Sequence, residues 1–491
     1  MNKKLVLLGW GLLVGMAVAN AQNNFEQYKN ADPRELVTKG DLSQQQLERL
    51  VRYYSYDVKD TKRATLLDSL LVQKDPKGPY ARMSAFQYAS AAKTNEARQE
   101  RLEKLLNNFP KKEWNHNPKG QAFIYYSVDR MLGECYFINK QFDKLLPYTA
   151  SMDFKSENEV FRWNVMRAYM FKMLGYDTLY QVATPMIKDL VAKVKDNSYV
   201  EDGVFDEARA LENAYQQLDN ELGVYIQLLN SLGKYAEAKS CYQHLSEKGQ
   251  YGSADLNELH VTILEKLNEK EAVKPLIEKS IAANAVTPAM FDKLRAIYKA
   301  QHNSLEGYDA YEQSLRNKDE QEKLKVHVKA HMTNWEYQPF ALENADGEMV
   351  RSSEWGDRII VLDFWATWCK PCISAFPGMQ LLIDKYAKDS SVGVYFIGTM
   401  QFGDYKKKSV EYVKSQGYHG FNLLHDAVNK KTGEQDVVYK SFMNYWKASG
   451  IPRKAVLKDG IMRYTSEGYS GSPSQLADEL SYVIELLKAE K

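Results

Sequence analysis

The sequence predicts a two-domain protein: an all-α, helical-repeat N-terminal domain over residues 22–330 and an α/β C-terminal domain over 331–491. Three observations carry that reading. From residue 22 to about 335, apolar residues recur at helical spacing and few runs look like strands. Within that region, similar turns return at intervals mostly near 35 residues. From about Trp335, short apolar runs of strand length alternate with helices, and a hairpin and a last helix close the chain.

The 491 residues are enough for two or three full cores. Lys and Arg number 65 against 64 Asp and Glu, so the net charge of +1 offers no footprint for nucleic acid or for an anionic membrane surface. Only four cysteines are present, too few for a disulfide-stapled scaffold of this length.

Residues 1–21 have the pattern of a signal peptide. Lys3 and Lys4 precede an apolar run from Leu5 to Ala19, and Ala19-Asn20-Ala21 supplies a small-x-small site with cleavage expected after Ala21. The run is short for a bilayer span, which needs about 20 residues. An uncleaved anchor is the competing reading. The expectation is an exported protein of the periplasm of a Gram-negative cell envelope, where disulfides persist.

In the helical region, five segments turn and restart around Asn139, Gly175, Gly233, Asn268 and Asn303, which are 36, 58, 35 and 35 residues apart. Glycine and asparagine suit the left-handed conformation that ends a helix. Three of these spacings lie close to the period of about 34 of tetratricopeptide helix pairs, and LGKYAEAKSCY resembles one. An irregular helical bundle is the alternative. Cys135 and Cys241 sit among aromatic neighbours and are expected to be packing residues. A disulfide between them would need Cα atoms within about 7 Å, which sequence does not decide. His327 and His331, four apart in KLKVHVKAHM, have no third ligand at a fitting offset and read as ordinary histidines. The charged run Arg316–Lys325 is the expected interdomain connector, and Lys406-Lys407-Lys408 a solvated helix start.

The C-terminal region opens with PFALENADGEMVRSSEW, a hairpin turning at Asp346-Gly347. The run from Ile359 to Trp365, broken only by Asp363, reads as a strand buried on both faces. Cys369-Lys370-Pro371-Cys372 follows at the junction with a helix. Then come a strand in SVGVYFIGTM, a helix over KKKSVEYVKSQ, a strand in FNLLHD and a helix over VVYKSFMNYWKAS ending at Gly450. A hairpin turning at Asp459-Gly460 and a helix over SPSQLADELSYVIELLK complete the chain.

A cysteine where a strand gives way to a helix faces unpaired backbone N–H groups and the positive end of the helix dipole, which stabilise its thiolate. A second thiol three residues further on can resolve a mixed disulfide intramolecularly. A zinc site would need a second Cys or His pair, and His419 and His425 have the wrong spacing. A purely structural disulfide is the other plain reading. No metal or cofactor is expected.

Asp363-Phe364-Trp365-Ala366, Trp368-Cys369-x-Pro371-Cys372 and Pro377 resemble the active-site segment of thioredoxins. The resemblance covers the last third of the chain. The opening hairpin, with the extra helix and strand before the closing half, resembles the TlpA-like branch, the thiol–disulfide oxidoreductases of the cell envelope. This implies a thioredoxin-like fold with Cys369 as nucleophile and exposed sulfur, and with Cys372 as resolving thiol. Asp363 would lie buried behind Cys372, its pKa raised by desolvation so that it exchanges a proton near neutral pH. Ile451-Pro452 matches the family's cis-proline turn, where the backbone before the proline pairs with substrate. Trp365 and Trp368 would pack beneath and beside the cysteines, and Pro377 would kink the redox helix.

Three residues depart from the pattern. Ala375 stands where many TlpA-like reductases carry a glutamate, VGVYFIGTM lacks the thioredoxin lysine, and Arg453 is a large cation where thioredoxins have a small residue. The expected function is an exported protein-disulfide reductase or isomerase acting on protein thiols and disulfides, with the helical domain docking partners. In the reductase direction it would need a membrane or envelope electron donor. The alternatives are a non-enzymatic helical scaffold whose C-terminal domain only binds, and a thiol peroxidase. Peroxiredoxins place a threonine three residues before the reactive cysteine, whereas Ala366 precedes Cys369 and Cys369 precedes Cys372 at that offset. The sequence carries no signal for oligomeric state or for the direction of electron flow.

Overall fold

The computed structural model describes residues 25–114, 123–446 and 450–490. The expected signal peptide, 1–21, lies outside them. The chain divides into two compact units, Met1–Val165 and Met166–Lys491. The second unit therefore unites the helices of 166–330 with the C-terminal sheet.

The described part of the first unit is helical. Its helices start where the sequence supplies caps: Asp32 accepts from the Arg34 N–H ahead of Pro33, and Ser43 and Gln46 cap each other reciprocally. Leu47, Leu50, Tyr54, Leu67 and Leu71 form one buried cluster. Cys135 is buried here as a free thiol.

In the second unit, Gly233, Asn268 and Asn303 all adopt positive φ at the ends of helices, 35 residues apart. At the two earlier turns the expected residue is displaced. Lys140 rather than Asn139 is left-handed, and Gly175 (φ −66°) begins the next helix while Lys172 takes the positive φ. Cys241 is buried and free. The run expected as an interdomain connector is no open linker. Arg316 pairs with Glu312 and Asp478, and a helix over Lys318–Ala330 starts at a cap from Asn317. Val328 on that helix is fully buried in the core of the sheet.

Eight strands form one mixed sheet: β1 (Met332–Glu336), β2 (Ala341–Asn344), β3 (Met349–Arg351), β4 (Ile359–Trp365), β5 (Val392–Gly398), β6 (Asn422–His425), β7 (Arg453–Lys458) and β8 (Ile461–Glu467). Their order is β1-β8-β7-β4-β5-β6-β2-β3, with β4–β5 and β5–β6 parallel and the other pairs antiparallel. Asp459 and Gly460 both have positive φ, the geometry of a tight hairpin turn. β1 was not foreseen: it takes up the end of the predicted KLKVHVKAHM helix, which stops at Ala330, and pairs with β8.

Besides the helix over Lys318–Ala330, the sheet is covered by α1 (Lys370–Ser374), α2 (Phe376–Tyr386), α3 (Tyr405–Ser415), α4 (Val437–Met443) and α5 (Pro473–Ala489). α4 ends at Met443, short of the expected Gly450. All seven residues of β4 are buried, and they divide by parity between two cores. Ile360, Leu362 and Phe364 join Tyr439, Phe442 and Trp446. Val361 and Trp365 join Cys369, Cys372, Phe376 and Leu480. The helices of 254–315 meet the sheet region through α2 and α5. Leu381 packs on their apolar cluster, Ser472 donates to the Asn284 carbonyl at 2.6 Å, and the Val286 N–H donates to Ser474 at 3.1 Å.

Candidate active site

β4 runs at the centre of the sheet, and its C-terminal end delivers the chain to Cys369 one turn later. Cys369 occupies the cap position of α1, with φ −86° and ψ 95°, and Pro371 falls in the first turn, where a missing N–H costs nothing. The Cys372 N–H points at the Cys369 sulfur at 3.3 Å, a contact that favours the thiolate once the pair is reduced. Cys369 and Cys372 are joined as a disulfide, with Cα atoms 5.3 Å apart. In this oxidised state Cys369 is not the exposed sulfur expected: it is 4% accessible and Cys372 is fully buried. Packing around the disulfide leaves Cys369 little accessible surface and Cys372 none.

The Ile451–Pro452 peptide is cis. The Ile451 carbonyl oxygen lies 3.7 Å from the Cys369 sulfur, and the Gly468 N–H donates to the Pro452 carbonyl at 2.9 Å. Trp368 is half exposed, and its indole N–H donates to the Met400 carbonyl at 2.7 Å. Trp365 is buried, its ring edge-on to Phe376 at 5.0 Å. The redox helix breaks at Ala375, two residues before Pro377, so α1 and α2 are separate helices. Ala375 is itself fully buried.

Asp363 is fully buried on the face of β4 that carries Val361 and Trp365. Directly across the β4–β7 ladder stands Lys454, also fully buried, with its ammonium 3.4 Å from the carboxylate. The pair lacks good hydrogen-bond alignment. Burial pushes the Asp363 carboxyl up to about 6, against the opposing pull of Lys454. The strand after the redox helix has no lysine, but β7 supplies one from the other side of β4. Sequence reasoning missed it because only the register of two distant strands makes them neighbours. Arg453 is the large cation that stands where thioredoxins have a small residue. It is turned inward, paired with Glu467 at 2.6 Å and lying 4.8 Å from the centre of the Trp446 ring.

A sequence profile described as the AhpC/TSA family matches residues 334–464. Over those residues the C-terminal, thioredoxin-like region is similar to that family. The chain is 32% identical over 98 residues to the thiol-disulfide oxidoreductase ResA of Oceanobacillus iheyensis, covering 20% of this chain and 46% of that protein. It is 32% identical over 78 residues to ResA of Bacillus subtilis, covering 16% and 41%. Against thioredoxin of Malassezia sympodialis it is 48% identical over 40 residues, 8% and 37% of the two chains. The chain thus spans less than half the length of these curated relatives. Among solved structures, StoA from Bacillus subtilis aligns at 19% identity and a TM-score of 0.23, over 29% of this chain and 96% of that one.

The structure draws Cys369, Cys372, Trp368 and Ile451-Pro452 together at one end of the thioredoxin-like domain, with Asp363 and Lys454 in the sheet. His327 and His331 have ring centroids 4.2 Å apart, tilted by 32°. No group of three or more His, Cys, Asp or Glu able to hold a metal occurs among the described residues.

Proposed function

We propose that the protein is an exported thiol–disulfide oxidoreductase that reduces or isomerises disulfides in polypeptides. The observation that carries this is the Cys369–Cys372 pair at a helix start, with the Ile451 carbonyl beside the outer sulfur. In the reducing direction the Cys369 thiolate attacks one sulfur of a substrate disulfide. That S–S bond breaks, one substrate thiolate leaves, and a mixed disulfide joins substrate to Cys369. Cys372 then loses its proton to the Asp363 carboxylate and attacks the Cys369 sulfur, expelling the second substrate thiolate. The two electrons gained by the substrate come from the dithiol, which ends as the Cys369–Cys372 disulfide. Lys454 tunes Asp363, and Trp368, Ile451 and Pro452 hold the substrate chain.

The domain boundary near residue 330 and the docking role of the helices belong to the same reading. For the docking role, the contacts of Asn284, Val286 and Arg316 with Ser472, Ser474 and Asp478 are the support, because they hold the segment 284–316 against the catalytic region. The site of action is the periplasm, with a membrane or envelope dithiol as electron donor. Among the described residues no helix is long and apolar enough to cross a membrane.

The test is reduction of insulin by dithiothreitol, followed with the wild type, Cys369→Ser and Cys372→Ser. The wild type should accelerate it and both variants should fall to the uncatalysed rate. A wild type with no acceleration would leave the binding-scaffold and thiol-peroxidase readings. Peroxide reduction is the alternative enzyme reading, which Ala366 at the threonine offset before Cys369 disfavours. Consumption of hydrogen peroxide faster than of insulin disulfides would favour it.

A further inference from the structure

We propose that Phe402 and Trp368 form an aromatic shelf beside the disulfide that receives an apolar side chain of a polypeptide substrate, so that the site prefers substrates with such a residue next to the reacting cysteine. This rests on the exchange reading of Cys369 and Cys372. Phe402 is 74% exposed. A single exposed apolar side chain on a protein surface is ordinary, but two features set this one apart.

The first is its neighbour. The Phe402 ring lies 6.3 Å from that of Trp368, tilted by 36°, within the range of attractive aromatic pairs. Trp368 is 50% exposed and directly precedes Cys369. Two large rings therefore meet water together, one on the residue that precedes Cys369 and one on the loop beside it.

The second is the rigidity of the loop that presents Phe402. The Thr399 N–H donates to the Trp365 carbonyl at 2.9 Å, and the Met400 N–H to the Gln435 carbonyl at 2.7 Å. The Met400 carbonyl accepts from Trp368, and the Gln401 side-chain oxygen accepts from both the N–H and the hydroxyl of Thr367, at 3.0 and 2.8 Å. Met400 is held at φ 50°, a conformation uncommon for a side chain without a local reason. Each fastening ties the loop to the segment carrying the cysteines or to the one at Gln435. Phe402 is thus held out by a loop already ordered, and binding to it incurs little further ordering entropy. A polypeptide whose cysteine reaches Cys369 passes within a residue or two of Trp368, and its flanking side chains reach the shelf. A small disulfide has no such side chain.

The test uses full-length wild type, Phe402→Ala and Phe402→Leu. Turnover is compared for two disulfide-linked peptides that differ only in Phe or Ser beside the cysteine, with hydroxyethyl disulfide as reference. The wild type should prefer the Phe peptide by about tenfold in kcat/KM. Phe402→Ala should bring that preference close to one, and Phe402→Leu should keep most of it. An unchanged preference in Phe402→Ala, or a proportional loss on all three substrates, overturns the proposal. A wild type inactive on all three overturns the exchange reading on which it stands, whereas activity with no preference overturns the shelf alone.

Discussion

Lys454→Met deletes the one cation facing Asp363 across the β4–β7 ladder. At 3.4 Å, with both side chains fully buried, two unit charges attract by about 5 kcal/mol at an effective permittivity of about 20. Burial opposes this and prevails, because the carboxyl is raised from 3.8 to about 6, equivalent to about 3 kcal/mol. Without the lysine the carboxyl rises further and stays protonated at neutrality, unable to accept the Cys372 proton. Turnover at neutral pH should drop by about tenfold or more, and the acid limb of the pH–rate profile should move up by at least about one unit.

The same pair governs stability. Between the unfolded value of 3.8 and the folded value of about 6, the native state binds the extra proton. Wild-type stability should therefore decline across that window, by up to about 3 kcal/mol, and then level off. Asp363→Asn abolishes this decline but strands Lys454 without a counter-charge, at a cost of about 3–5 kcal/mol. The double variant Asp363→Asn/Lys454→Met should be more stable than Asp363→Asn alone. Denaturant unfolding of all four proteins at about pH 4 and about pH 7.5 gives the coupling. Additive single effects within about 0.5 kcal/mol, together with an unshifted pH–rate profile, would refute the reasoning.

Two further perturbations test the packing that holds the site. Arg316→Ala removes the partner of Asp478, a carboxyl already raised by burial, and should destabilise by about 3 kcal/mol in denaturant unfolding; a loss below about 1 kcal/mol would mean the pair is solvated. Gly378→Ala places a Cβ 2.8 Å from the Pro473 carbonyl oxygen, where α2 crosses the start of α5. It should cost about 2 kcal/mol in the same assay, and a neutral substitution would mean that the helices separate easily.

Local signals made the C-terminal fold legible. The apolar run of β4, the Asp-Gly turns and the strand–cysteine–helix junction each declare themselves within a dozen residues. β1 escaped because Met332–Glu336 has no strand pattern of its own and becomes a strand by pairing with β8. The charge of Arg316–Lys325 reads as a linker, yet its helix keeps the charges outward and buries Val328. Lys454 looks like a solvated residue in KAVLK until register sets it opposite Asp363. Phe402 lies in a loop with no motif, and only tertiary fastening gives it a fixed place. The exposure expected of Cys369 was too large because the surrounding packing covers most of its sulfur, which no local pattern reports.

The central claim is that Cys369 attacks and Cys372 resolves. The direct measurement is to reduce the full-length protein, alkylate it briefly at about pH 6 and map the modified cysteine by mass spectrometry. Cys369 should be modified first, since it caps the start of α1 and its sulfur receives the Cys372 N–H, while Cys372 is fully buried. In cells, Cys372→Ser should then hold polypeptides in mixed disulfides and Cys369→Ser should hold few. Modification of Cys372 first, or equal trapping by the two variants, would contradict the account.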